Sequence, residues 1–400
     1  MLWRSRSNNR RPGGLPHWAL SLALLAALLA ACTSPPAAPG AAAPPAAGSQ
    51  PAAQPLSAPA GAAETTAPAA PAQRTPLVVF CAGSLIVPFA ELETAFEQAH
   101  PEIDVRNECH GSIQVIRHVT ELHEAIDVVA TADHALIPML MYTAVEPQSG
   151  RPYAAWYLRF AANRLALAYG PHSRFAGELT AENWSEVIRR PGGSLGIADP
   201  RFDAAGYRAL MALKLAEGLY DCPGIFKSVL GGKFRYPISA FEEDTIEISV
   251  PEIIEPLPGS GIVVRGASIQ LIALLESGDL DYAFEYESVI RQHGLPYVAL
   301  PDGINLGAPQ QAAAYGRVTV KLDFQRFASV KPVFRGEPIG YGITIPVNAP
   351  HPAQAAQFIA FLLGPEGRRV MSAAYQPLIE SPTCDGAAVM PAELASLCAK

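Results

Sequence analysis

"VVFCAGSLIVPF", Val78 to Phe89, passes from β-rich apolar residues through Gly83 and Ser84 into an apolar-periodic segment. This is how a strand hands over to a helix. Helical spacing continues through Leu85, Phe89, Leu92 and Phe96 until His100-Pro101. The handover recurs three times. "IDVRNE" is followed by "CHGSIQVIRHVTEL", with Gly111 and Ser112 ahead of Ile116, Val119 and Leu122. "SLGIADPRFDAAGYRALMALKLAEG" holds a strand to about Ala198, after which Asp203 opens a helix carrying Leu210 and Leu213. In "GIVVRGASIQLIALLESG", Ser268 opens a helix that stops at Ser277-Gly278. Short β-rich runs alternating with helix-period segments predict an α/β fold with a largely parallel sheet.

Taken singly, Ser84, Ser112, Asp203 and Ser268 are each accounted for as N-caps, their side-chain oxygens accepting a backbone N–H of the first turn. Taken together they say more. Helices that follow parallel strands start along one sheet edge, where open α/β folds bind ligands. Helix N-termini facing one crevice offer unpaired N–H groups and positive dipole ends, and serine hydroxyls can donate as well. That describes a site for a small oxyanion. Arg201 and Arg265 are the cations of these loops, so the donors are mostly neutral. Asp203 then discriminates between ligands: beside a dianion it is repulsive unless it accepts a ligand proton, as hydrogen phosphate allows, or coordinates an expandable central atom, as molybdate and tungstate allow.

The rest of the chain sets the compartment. Arg4, Arg6, Arg10 and Arg11 precede the apolar run "WALSLALLAALLAAC", which reads as an export signal over residues 1–31. It ends in Leu29-Ala30-Ala31-Cys32, a lipobox pattern that predicts cleavage before Cys32 and its acylation, hence a membrane anchor facing the extracellular or periplasmic side. Residues 32–76, almost wholly Ala, Pro, Gly, Ser and Thr, are expected to form a disordered tether. The whole chain carries a net charge of −8, and loss of the four signal arginines leaves 25 basic against 37 acidic residues, a net of −12. Nucleic-acid binding is excluded on that balance. Cysteine usage suits an oxidising compartment. Cys81 with Cys109 and Cys384 with Cys398 are candidate disulfides, and Cys222 is expected to be a buried thiol. No C-x-x-C pair supports a zinc ribbon.

Several stretches together resemble the tungstate/molybdate-binding proteins of ABC importers: "AGSLIVPFAELE", "GSIQVIRHVTEL", "DVVATADHALIP", "WYLRFAANRLALAY", "AGYRALM", "LLESGDLDYAFEYESV", "QHGL" and "GYGITIP". The resemblance runs from Val79 to about Leu378. It implies a type II periplasmic-binding-protein fold, two α/β lobes with a hinge and an oxyanion in the cleft between them. Lobe 1 is expected over 77–162 plus 288–400 and lobe 2 over 163–287. It implies donors from Gly83, Ser84 and Ser112 on one lobe. Asp203, Ala204 and Ala205 on the other supply a carboxylate oxygen and N–H groups, and Tyr286 also reaches the ligand. In this family a second carboxylate stands where this chain has Ser268, so six-coordination of tungsten or molybdenum by Asp203 would need Glu285 as substitute. Strand alternation aims Glu285 away from the face Tyr286 uses, favouring a near-tetrahedral, hydrogen-bonded ligand. The implied protein is a monomer without cofactor or catalytic role, working with an ABC permease and its ATPase.

Other readings are weaker. A phosphate or sulfate receptor fits the same donors. A serine hydrolase needs a G-x-S-x-G elbow, and "GASIQ" lacks its last glycine. His118 and His123 are five apart, off the four-residue spacing of helical metal pairs, so these and His110 and His134 read as surface or packing residues. The aromatics of "YAAWYLRF" are expected to pack near the hinge, and "FEEDTIEISVPE" to be a solvated acidic insertion.

Overall fold

The computed structural model describes residues 74–323 and 332–398. The expected signal, Cys32 and the tether lie outside the described residues.

β1 (Thr75–Ala82) ends in a 3-10 turn, Gly83–Leu85, that runs into α1 (Ile86–Ala99). β2 (Ile103–His110) leads through Gly111 into α2 (Ser112–Thr120), and β3 (Val128–Thr131) and β4 (Tyr157–Ala162) follow. The chain then enters a second lobe with β5 (Leu165–Tyr169), α3 (Trp184–Val187), β6 (Leu195–Ala198) and α4 (Ala204–Leu219). Next come α5 (Ile225–Leu230), the hairpin β7 (Ser239–Glu242) and β8 (Ile246–Val250), β9 (Ile262–Arg265), α6 (Ile269–Ser277) and β10 (Tyr282–Tyr286). α7 (Glu287–Gln292), β11 (Tyr297–Ala299), α8 (Ala312–Tyr315), β12 (Val318–Leu322) and β13 (Val333–Arg335) complete that lobe. β14 (Gly340–Thr344), α9 (Pro352–Leu363), α10 (Pro365–Ala373) and β15 (Leu378–Asp385) return to the first.

Among the described residues the strands form three sheets, ordered β15-β4-β14-β3-β1-β2 in lobe 1, β11-β5-β10-β6-β9 in lobe 2, and β13-β12-β8-β7 beside the latter. The sheets are mixed rather than largely parallel. β1 pairs in parallel with β2 and β3, and β6 with β9 and β10, whereas β4, β5, β11, β14 and β15 join antiparallel. The strands that feed the four helix starts, β1, β2, β6 and β9, all lie in parallel pairs.

The lobe boundary also differs from expectation. β11 pairs with β5, and β12 with β8, so lobe 2 continues well past 287 and the chain returns only at about 338–340. The acidic "FEEDTIEISVPE" is not a solvated insertion but supplies β8, whose Ile246, Ile248 and Val250 are buried. α4 is buried on nearly every side because it packs against β6 and β10 and also against β12 of the third sheet. Its run of alanines and leucines permits that close packing. In lobe 1, Phe89 and Phe96 of α1 meet Phe358 of α9 edge-on, the favoured geometry for aromatic pairs.

Cys81 and Cys109 are partners in the β1–β2 register and are joined by a disulfide, and a second links Cys384 to Cys398. Cys222 is a free thiol but only half-buried, since it sits in the turn after α4 rather than in the core.

Candidate functional site

The four helix starts meet between the lobes. A Cβ added to Gly111 would lie 2.4 Å from the carbonyl oxygen of Phe202 and 3.2 Å from that of Gly266, both in lobe 2. Ile113 N–H donates to Phe202 O at 3.1 Å, and a Cβ on Gly83 would meet Ile269 at 3.2 Å. The lobes are therefore closed on one another at this point.

Only one of the four predicted caps is a cap. Asp203 is the N-cap of α4, its Oδ1 accepting from Ala205 N at 2.8 Å, while its Oδ2 accepts from Ser268 N at 2.9 Å. One carboxylate thus ties the starts of α4 and α6 together. Ala205 N–H, expected to face the ligand, is already engaged by this bond. Ser268 stands at the N-cap of α6 without capping it, Ser84 lies inside the 3-10 turn, and Ser112 is the first residue of α2.

The freed hydroxyls have other partners. Ser112 Oγ accepts from Ala132 N at 2.9 Å, so its own hydrogen remains to be donated. Ser84 Oγ lies 2.7 Å from the Tyr341 hydroxyl, which also accepts from Asn163 Nδ2 at 3.1 Å. Tyr286, across the crevice with its ring centroid 6.1 Å from that of Tyr341, accepts from Arg208 Nη1 at 2.6 Å. A phenol that accepts in this way keeps its O–H for a ligand. Burial raises the Tyr341 phenol above its ordinary range, so it stays protonated beside Ser84.

Glu285 lies within electrostatic reach of Asp203 and Ser268. Its side chain is fully buried and curls round the end of β10, so that Oε1 accepts from the next backbone N–H, that of Tyr286, at 2.7 Å. Burial, opposed by that N–H and reinforced by the charge of Asp203, lifts its carboxyl to about 8. It is a neutral acid at pH 7. Burial also raises Asp203, against the pull of the Ser268 and Ala205 N–H groups and of Arg208. Ser268's hydroxyl lies near enough to both carboxyls to lower each of them. Glu285, Asp203, Ser268 and Tyr286 thus share one end of the crevice. Together the groups form a buried cluster of hydroxyls and two carboxyl groups between the lobes, chemistry suited to a small oxyanion.

Sequence reasoning missed Asn163, Tyr341, Arg208 and Asp133. Arg208 Nη1 donates to Ala132 O at 2.7 Å, and Nη2 lies 3.3 Å from Asp133 Oδ2. Burial alone would raise Asp133, but Arg208, His134, the Tyr207 hydroxyl and Ala135 N–H hold it below the usual carboxylate range. "AGYRALM" carried a signal, an arginine in the largely apolar first half of a helix, but not its partner. Of the histidines, His110 and His118 stack at 5.1 Å, and His123 bonds Tyr153 Oη at 2.5 Å. His134 groups with Asp133 and Glu337, their ligand atoms within 4.8 Å of one another, but the Arg208 guanidinium beside Asp133 disfavours a cation there.

Residues 77–374 match the family described as bacterial extracellular solute-binding protein. An uncharacterized solute-binding protein of Methanococcus maripaludis is 35% identical over 303 residues, 76% of this chain and 86% of that one. The molybdate/tungstate-binding protein WtpA of Thermococcus kodakarensis is 36% identical over 322 residues, 78% of this chain and 85% of its own. Among solved structures, the periplasmic molybdate-binding protein of Azotobacter vinelandii aligns at 16% identity with a TM-score of 0.48, over 76% of this chain and 100% of that one. With its family match spanning most of the two lobes, the chain belongs to the bacterial extracellular solute-binding proteins.

Proposed function

We propose that this chain is the oxyanion receptor of an ABC importer, anchored outside the membrane through Cys32 and delivering tungstate or molybdate to a permease. The observation that carries this reading is the convergence of Ser84, Ser112, Ser268 and Tyr286 with Asp203 and Glu285, all buried where the lobes meet. The similarity to a molybdate/tungstate-binding relative supports the choice of cargo. Capture proceeds by lobe closure. Hydroxyls of lobe 1 and groups of lobe 2 replace the anion's water, each charge-assisted hydrogen bond contributing about 1.5–3 kcal/mol. Asp203 is the group placed to approach the metal centre or to accept a ligand proton. A sulfate- or phosphate-type ligand is the second reading, favoured by Ser268 in place of a carboxylate and by the neutral Glu285, which together suit a hydrogen-bonded tetrahedron.

Calorimetric titration with tungstate, molybdate, sulfate and phosphate tests this, repeated on Asp203→Ala and Ser268→Glu. Tight binding of tungstate and molybdate alone, lost in the first variant and strengthened in the second, is the expected result. Preference for sulfate or phosphate would give the site to the second reading. Binding of none of the four would end the receptor proposal.

A further inference from the structure

Arg208 is 3% exposed and lies on α4, in lobe 2, yet two of its three partners belong to lobe 1. One nitrogen, Nη1, donates to Ala132 O at 2.7 Å across the crevice and to the Tyr286 hydroxyl at 2.6 Å on its own side. The other, Nη2, faces Asp133 Oδ2 at 3.3 Å. We propose that Arg208 is a positioning residue that couples lobe closure to ligand capture, latching Ala132 and Asp133 of the opposite lobe while fixing the hydroxyls that donate to the ligand. The proposal rests on the oxyanion-receptor reading.

The connections run both ways from the guanidinium. On the lobe 2 side, Tyr286 accepts from Arg208, so its own O–H points to another acceptor. On the lobe 1 side, Ala132 gives its carbonyl to Arg208 and its N–H to Ser112 Oγ, at 2.9 Å. The two hydroxyls expected to grip the ligand from opposite lobes are thereby held by one side chain, directly or through one residue. Asp133 is gripped further by the Tyr207 hydroxyl, the neighbour of Arg208 on α4, while Ala135 N–H holds its Oδ1 at 3.0 Å from within lobe 1.

A buried ion pair of this kind is state-dependent. In an open molecule, Arg208 and Asp133 separate and take up water. Closing strips water from both, and their attraction offsets that cost only if the geometry is good on both sides. Removing one partner leaves the other buried and unpaired, which shows chiefly in the rate of dissociation. The pair therefore sets how long the closed form lasts, without touching the ligand itself. Arginine is suited to this, because its planar fork serves three acceptors at once where a lysine ammonium is a point charge.

The test uses the full chain and tungstate, with molybdate, sulfate and phosphate as alternative probes, on Arg208→Lys, Asp133→Asn and the double variant. Stopped-flow release rates and the ligand-induced decrease in radius of gyration by small-angle scattering are read together. Asp133→Asn keeps the Arg208 contacts to Ala132 and Tyr286, so it carries the test even if Arg208→Lys does not fold. Each single variant is expected to release the anion about tenfold faster or more, with a smaller compaction. The double variant should be no worse than the poorer single one, because both changes break the same contact. Wild-type release and compaction in Asp133→Asn, or additive effects in the double variant, would overturn the latch while leaving the receptor intact. A wild-type chain that binds none of the four anions would instead overturn the receptor reading and the latch with it.

Discussion

Glu285 shows how much one buried acid can reveal. Its folded pKa of about 8 stands above the ordinary Glu value of about 4.3. Between those two pH values the folded chain holds a proton that the unfolded chain has lost, so stability falls as pH rises through this window and levels off above it. Denaturant unfolding at intervals from pH 5 to 9 should show a wild-type decline steeper by one proton than that of Glu285→Gln, and parallel profiles would refute the assignment. Asp203→Asn makes a second prediction. An amide has one acceptor oxygen where the carboxylate serves Ala205 N and Ser268 N with two. Asn can still cap α4 with that oxygen, so leaving the buried Ser268 N–H unpaired should cost about 1–3 kcal/mol in urea unfolding, besides anion binding. Asp203 was legible in the sequence because capping is local, decided within three residues. The aim of Glu285 was not, because alternation fixes the direction of Cβ and says nothing about a carboxyl that turns back to its neighbour's N–H at a strand end.

The helix starts were legible as elements, and their meeting place depends on a glycine. Gly111 has φ −60° and ψ 141°, a conformation open to any residue, so its glycine identity is not a matter of backbone freedom. Its reason is the Phe202 carbonyl, 2.4 Å from where a Cβ would stand. Gly111→Ala should therefore leave the ligand-free protein near its wild-type melting temperature and weaken anion binding by about tenfold or more, by holding the lobes apart. A variant that binds as tightly as wild type would show that the contact yields. The third sheet and the true lobe boundary escaped the sequence for a different reason. β8, β11 and β12 are short runs whose own residues say "strand" but not which sheet. Val318–Leu322 pairs with Ile246–Val250 across some seventy residues of chain, and nothing in either stretch names the other.

On the proposed reading the molecule is an anion receptor whose full sequence carries a net charge of −8. At long range such a surface repels a dianion. Inside the closed crevice the interactions are short, buried and made by hydroxyls and N–H groups, where salt does not reach. The two regimes separate kinetically. Salt shortens the Debye length from about 30 Å at 0.01 M to about 8 Å at 0.15 M and so masks the repulsion during approach. Association should then quicken as ionic strength rises, while release, governed by the crevice and its closure, should hold steady. Affinity would increase modestly with salt, the reverse of a receptor that attracts its anion with a basic funnel. Stopped-flow measurement of both rates for tungstate between 10 and 150 mM sodium chloride decides this. An association rate that falls with salt would mean that the field at the mouth of the crevice is set locally by Arg265, the last residue of β9, rather than by the acidic surface as a whole.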